Sequence, residues 1–476
     1  MSRCLMIFIL YVLCCDEIIC QSVSISDDIN IRSDNGYELL GRYKNNILLY
    51  RDKLVESEIV AFDDQMRMRW QKTIEFEDRR PLILDVNGGQ DYFSLVYRAK
   101  NKNGYIVKIS RFDAAATFVD SIIAVTYGIR TFNPSPRCIY SENRKSVLIY
   151  NYDQNDRIEA SVVDLDNLKV LWTKSIELNE NRRIGTRENA IITNKGEAFF
   201  IFEKDNNINL FSNESAQFTI YKVGAEENKI IKFSLDEFIS YDIEFGYDNL
   251  NRNLVAVSLA SEKNKTKMNG TLLIRNLEME KIHLSFFHFE EETIYAISGK
   301  KTSTKVLNDI KIQELAFRKD GGVVALLEEI RQFSRNMNNM GVRPYAFNDP
   351  VGGRITIDYY HEALLAASFN PDGSRHWEKV MLKKQFSQDD DGVFSSYGLL
   401  KTPAGLRLLF NDEIKNETTT SEYQLTGAGL VDRHSLFNTS NQNIQLRFRD
   451  ALQIGSDEIL IPSEYRSHLR LVRIKF

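Results

Sequence analysis

The sequence predicts a single all-β propeller of eight blades, closed by a strand from near its N-terminus. Short runs rich in Ile, Val, Leu, Phe and Tyr recur between Asn, Asp, Gly and Lys turns along nearly the whole chain. A hairpin motif built on tryptophan returns at a spacing of roughly 40 to 50 residues, the period of propeller blades or another repeat array. The last repeat has only three strands, so it needs a fourth from elsewhere in the chain.

The motif is Ala61-Phe62-Asp63-Asp64 followed by Trp70-Gln71-Lys72. It returns as Val163-Asp164-Leu165-Asp166 followed by Trp172-Thr173-Lys174, and as Asn370-Pro371-Asp372-Gly373 followed by Trp377-Glu378-Lys379. In each copy a strand ends in Asx chemistry, turns, and restarts with Trp-x-Lys, which is a hairpin signature. Copies lacking Trp lie at 110–124, 222–233 and 275–286. Dividing the chain at this motif gives units 37–76, 80–126, 134–178, 186–235, 240–290, 308–385 and 393–441, with the three-stranded unit 443–476 last. Residues 23–31 supply the missing strand and close the ring; seven blades is the alternative count. The run 322–333 is rich in helix formers, but its neighbours favour a strand.

Before the first blade, Met1-Ser2-Arg3 and the apolar run 5–15 have the layout of a signal peptide and are too short to span a bilayer. Residues 1–20 are therefore expected to be a leader, with a mature start near Gln21 or Val23 and residues 21–476 forming the propeller. The protein would be exported, periplasmic or associated with the outer membrane. Lipid anchoring at Cys15, full secretion, or a buried first strand in place of a leader are the alternatives. Cys4, Cys14, Cys15 and Cys20 lie in or beside the leader, so Cys138 stands alone and no disulfide framework is expected. A lone Cys on a strand reads as an inert small residue.

With 43% hydrophobic residues and eight prolines, the chain can bury a large core. Its 61 Lys and Arg nearly balance 66 Asp and Glu, and both signs are spread along the chain, which leaves no basic field for nucleic acid.

The Asp, turn, Trp-x-Lys unit resembles the blade repeat of the quinoprotein-like (PQQ-type) propellers, which include dehydrogenases and outer-membrane assembly scaffolds. The likeness centres on Trp70, Trp172 and Trp377, and the glycine usual in that turn is kept only at Gly373. The stretch from Tyr359-Tyr360-His361 through Trp377 and Gln385 to Asp390-Asp391-Gly392-Val393-Phe394-Ser395-Ser396-Tyr397 is also similar to uncharacterised secreted propellers of Bacteroidetes. The resemblance implies packing of the tryptophans between neighbouring blades. It also invites a quinone-dependent dehydrogenase, but those enzymes commonly use paired cysteines near the cofactor, and only Cys138 is left here.

Other chemistries lack their residues. Asn370-Pro371-Asp372-Gly373 has its glycine one place too early for a sialidase Asp-box and reads as a turn. The six histidines form no ligand constellation, and His361-Glu362-Ala363-Leu364-Leu365 lacks the second histidine of a zincin helix. Asp389-Asp390-Asp391-Gly392 lacks the acid that closes an EF-hand loop and reads as a solvated turn. No nucleophile elbow, Walker loop or dinucleotide fingerprint occurs, so no cofactor, metal or catalytic residue is expected.

One segment breaks the repeat: residues 331–353 insert between the second and third strands of the sixth unit and read as a long loop rising from one face. Phe333, Met337, Met340, Tyr345 and Phe347 give it adaptable apolar groups. Arg331, Arg335 and Arg343 give it anchors of the kind enriched at interfaces. The expected binding residues are Arg335, Met337, Met340, Arg343, Tyr345 and Phe347; a loop folded over its own blade is the alternative. A small basic loop at 299–305 is a second candidate, although most such runs are only solvated.

The leading function is a non-catalytic binding or scaffold propeller of the cell envelope whose partner is an envelope or outer-membrane protein. A carbohydrate-active or redox enzyme with its site at the channel mouth is the alternative. Clustered acids and perturbed titratable groups in the channel favour the enzyme, and an exposed apolar and Arg patch favours the partner.

Overall fold

The computed structural model describes residues 21–53, 56–78, 81–128, 133–153, 157–178, 187–204, 215–263, 267–279, 281–299, 307, 309–337, 354–414, 419–439 and 442–476. The expected leader, most of the insertion and the basic loop at 300–305 lie outside them. Eight antiparallel sheets follow one another along the chain, so the eight-bladed count holds. Blades one to seven each use four consecutive strands, spanning 34–74, 82–128, 137–177, 187–234, 238–288, 310–388 and 398–438. Blade eight joins Leu452–Gln453, Glu458–Tyr465 and His468–Lys475 to Ser22–Ile25 and Ile29–Asn30 from the other end. Ser22 pairs with Lys475 and Ile25 with Val472, and Ile29 pairs with Leu469. The closure expected of residues 23–31 is thus made, and no sheet is left for the seven-bladed alternative.

The apolar runs are continuous because each sheet is covered on both faces. In the second strand of blade one (Asn46–Lys53), Leu48 and Tyr50 pack with Leu95 and Phe93 of blade two. Ile47 and Leu49 pack with Leu460 and Leu471 of blade eight. The first strands line the lumen and lie against one another around the ring, with contact sparse only between blades six and seven.

Each blade is a meander, so its first and third turns lie on one face of the ring and its second turn and the link to the next blade lie on the other. The first is the turn face and carries the Asx chemistry: Asp63 Oδ1 accepts the Gln65 and Arg67 amides, and Asp113 Oδ1 accepts those of Ala115 and Thr117. The turn needs a left-handed residue, supplied by Gly373 at φ +88° but by Met66 at +60° and Ala116 at +52° in the other copies. The carboxylate-capped turn holds these non-glycine residues at positive φ.

The chain is nearly all strand, as expected, with one α-helix among the described residues, Glu291–Ser298 after blade five. Gly299 ends it at φ +67°, and Ile294 is buried in the core between blades five and six. The insertion is not a loop from residue 331: the second strand of blade six runs Val323–Met337 and the third Arg354–Phe369, paired out to Met337 and Arg354. Cross-strand partners carry the ladder on beyond the ring, so a β-arm forms where a loop was expected.

Candidate partner-binding surface

All three outer strands of blade six break register at one level. The shift falls between Glu328 and Ile330 on the second strand and between His361 and Ala363 on the third, where the fourth (Arg375–Gln388) is also offset. Bulges of this kind bend and re-aim a ribbon. Beyond them, residues 330–337 and 354–361 continue paired for about 25 Å at ~3.3 Å per residue. The arm leaves from the face opposite the turn face, because it extends the second turn of its blade.

One side of the arm carries an aromatic and arginine row. Phe333, half exposed, meets the Tyr360 ring edge-on at 5.8 Å, and Tyr360 meets Phe386 at 4.9 Å. The Arg331 guanidinium lies 5.6 Å from the Tyr360 ring centre and also pairs with Glu362. Arg335 binds Asp358 through Nε at 2.5 Å and Nη2 at 2.7 Å, and Gln388 Nε2 donates to the same carboxylate at 2.8 Å. Of the six residues expected to bind, Arg335 is thus an exposed arm residue and Met337 ends the described strand. Met340, Arg343, Tyr345 and Phe347 lie outside the described residues.

The arm is rooted in a polar network between blades six and seven. Lys383 Nζ lies 2.6 Å from Glu328 Oε1, and His361 Nδ1 lies 3.1 Å from the same oxygen. Ser396 Oγ donates to Glu328 Oε2 at 2.6 Å. Gln385 accepts from Lys383 Nζ at 2.6 Å and donates to the Asn411 carbonyl at 2.8 Å. Burial alone would raise the Glu328 carboxyl, but Lys383 and His361 overcome it and hold it below its ordinary range, while burial lowers the Lys383 ammonium against the pull of Glu328. Sequence reasoning named His361, Gln385 and Ser396 without a role and missed Glu328 and Lys383. The available signal was doubled charge inside apolar strands, Glu328-Glu329 and Lys383-Lys384, each at a register shift.

Asp389, Asp390 and Asp391 are committed to the loop over this network. Their carboxylates accept from the Ile357 amide, from Ser387 Oγ with the Gly392 amide, and from the Tyr359 hydroxyl. Among the described residues no group of three or more His, Cys, Asp or Glu has metal-holding geometry.

The lumen carries acids on the first strands. Glu244 is pushed up to about 7 by burial and by the neighbouring carboxylates Asp242 and Glu314. On the first strand of blade one, burial and then Asp85 and Asp450 raise the Glu38 carboxyl. Burial raises Asp85 also, opposed by its own Val86 amide and by Arg144. Burial likewise raises the Cys138 thiol, leaving it a poor nucleophile. Trp172 and Trp377 are buried against the following blades, and Trp70 packs on the core between blades one and two.

No protein-family model and no curated protein matches the sequence. Among solved structures, the chain is similar to BamB from Moraxella catarrhalis, with 10% identity over 96% of this chain and 100% of that one and a TM-score of 0.35. It is also similar to the Nup133 β-propeller domain of Vanderwaltozyma polyspora, with 11% identity over 97% and 99% and a TM-score of 0.36. The dihydro-heme d1 dehydrogenase NirN is similar at 10% identity over 85% and 66%, with a TM-score of 0.37. These likenesses concern shape alone, and the blade count rests on this chain's own ladders. Among the described residues, no helix is long and apolar enough to cross a membrane.

Proposed function

We propose that this is a non-catalytic binding propeller of the cell envelope that holds a partner protein through the arm of blade six. The observation carrying the reading is the arm itself: a ribbon rooted on a buried ion pair, presenting Phe333, Tyr360, Arg331 and Arg335 away from the ring. Aromatic and Arg groups on a stiff support lose little entropy on binding and are the residue types enriched at interface hot spots. Export of the chain, an envelope or outer-membrane partner, and kinship with quinoprotein-like and secreted Bacteroidetes propellers belong to the same proposal. So do the roles of Met337, Met340, Arg343, Tyr345 and Phe347 as contact residues. The test replaces residues 336–352 by an Asn-Gly turn and compares affinity capture from the producing cells. A folded variant that loses a reproducible partner supports the reading; a folded variant that captures the same partner equally well ends it.

A second reading, a carbohydrate-active or redox enzyme working in the channel, is favoured by the raised Glu244 carboxyl beside Asp242 and Glu314. Turnover of a glycan or dye substrate abolished by Glu244→Gln would establish it.

A further inference from the structure

We infer that the groove between blades six and seven on the turn face is a binding site for an amphipathic anion, a molecule with one negatively charged head and an apolar or aromatic body. The site is independent of the arm, which leaves from the opposite face.

The groove has a volume of about 440 Å³, within the ~300–1,000 Å³ range of small-molecule sites. Its body is apolar, with Ala316, Val324, Leu406 and Leu425 below and Trp377 as one wall. A comparison with the seam between blades three and four explains why it is open. There Trp172 Nε1 donates at 2.7 Å to the Gly196 carbonyl, in the wide first turn of blade four. That turn is held by the Thr193 amide bonding the Glu197 carbonyl and lies over the indole; both indoles are buried, Trp172 at 7% and Trp377 at 9% exposure, so the seams differ in which turn covers the tryptophan. In blade seven the corresponding turn is cut to Pro403-Ala404, clasped by Thr402 Oγ1 and Gly405. Trp377 Nε1 reaches past it and donates at 3.0 Å to Gly427, in the other turn of that blade. The space that a wide turn fills at one seam is therefore vacant at the other, where the first strands also make little contact.

Charge selects the ligand. Three cations stand at the rim, Arg318, Lys319 and Lys401, in a chain of net charge −5. Arg318 is neutralised by Asp320 and Lys401 by Glu314 at 2.7 Å. Lys319 is exposed and has no acidic partner among the described residues. One uncompensated ammonium beside an apolar trough matches one anionic head on an apolar body. At Gly427 an added Cβ meets nothing within 4 Å, so a large side chain can be placed in the mouth without a backbone clash.

The test is a fluorescence titration of the full chain with 8-anilinonaphthalene-1-sulfonate, an aromatic sulfonate, and with N-phenyl-1-naphthylamine, which has the same rings and no charge. Lys319→Glu and Gly427→Phe are examined beside the wild type, with melting curves to establish that each is folded. Saturable binding of the sulfonate is expected, weakened at least tenfold by either substitution, with the uncharged analogue at least tenfold weaker on the wild type. Absence of saturable binding, unchanged affinity in either folded variant, or equal affinity for the two probes overturns the site. Should Gly427→Phe fail to fold, Ala404→Trp on the same rim takes its place with the same expected loss.

Discussion

Lys383 Nζ lies 2.6 Å from Glu328 Oε1, and neither side chain has any solvent exposure. Taking both charges out of water is costly, and their mutual attraction, the bonds from Ser396 and to Gln385, and His361, whose ring faces Glu328 and whose carbonyl accepts from Lys383, offset it. Lys383→Met alone leaves a buried carboxylate without its lysine and should destabilise the protein by about 3–5 kcal/mol. Joint replacement by Glu328→Leu and Lys383→Met should lose far less. Urea midpoints of the two variants check this; equal losses would mean that the pair is not coupled.

Ring closure gives a second expectation. Ile29 is 4% exposed and packs in the core between blades eight and one. Ile29→Ala should therefore cost about 2–5 kcal/mol, and deletion of residues 22–30 should lower the melting temperature of the whole propeller. A melting curve unchanged by the deletion would show that the strand closes nothing.

The pH dependence of stability should carry the mark of Glu244. Its folded value, about 7, stands above its ordinary 4.5, so the native state holds its proton more tightly than the unfolded chain. This contribution is full below about pH 4.5 and is lost as pH rises through 7. Glu244→Gln, which cannot ionise, should melt progressively higher than the wild type between pH 5 and pH 8. A constant difference across that range would contradict the assignment.

On the arm, Phe333→Ala and Arg335→Ala should each cost on the order of 1–3 kcal/mol of partner affinity, as should Arg343→Ala, Tyr345→Ala and Phe347→Ala. Melting temperatures should stay near that of the wild type, because blade packing and not the arm holds the ring. Affinity measured with the captured partner separates the two quantities.

The blades were legible because each repeats one pattern, so a strand missed in one copy is indicated by its neighbours. Tryptophans in one register marked three seams, and the three-stranded last unit implied closure before any pairing was known. Residues 331–337 read as a loop in sequence because they mix polar and aromatic side chains, and only pairing with 354–360 makes them a strand. Helix Glu291–Ser298 is two turns long, too short for a helical period to stand out. The lumen acids Glu38, Asp85, Asp242, Glu244 and Glu314 come from four blades and share no local pattern. The groove at Trp377 depends on a turn shortened in the next blade, which no single copy of the repeat reveals.

The central claim is that the arm of blade six is the partner-binding surface, and site-specific photocrosslinking in the producing cells tests it most directly. A photoreactive residue at Phe333 on the arm is compared with one at Leu250, which is 67% exposed on the turn face. One discrete adduct is expected from position 333, absent from position 250 and lost when residues 336–352 are replaced. Adducts of equal yield from both positions, or none from position 333 in a folded protein, would contradict it.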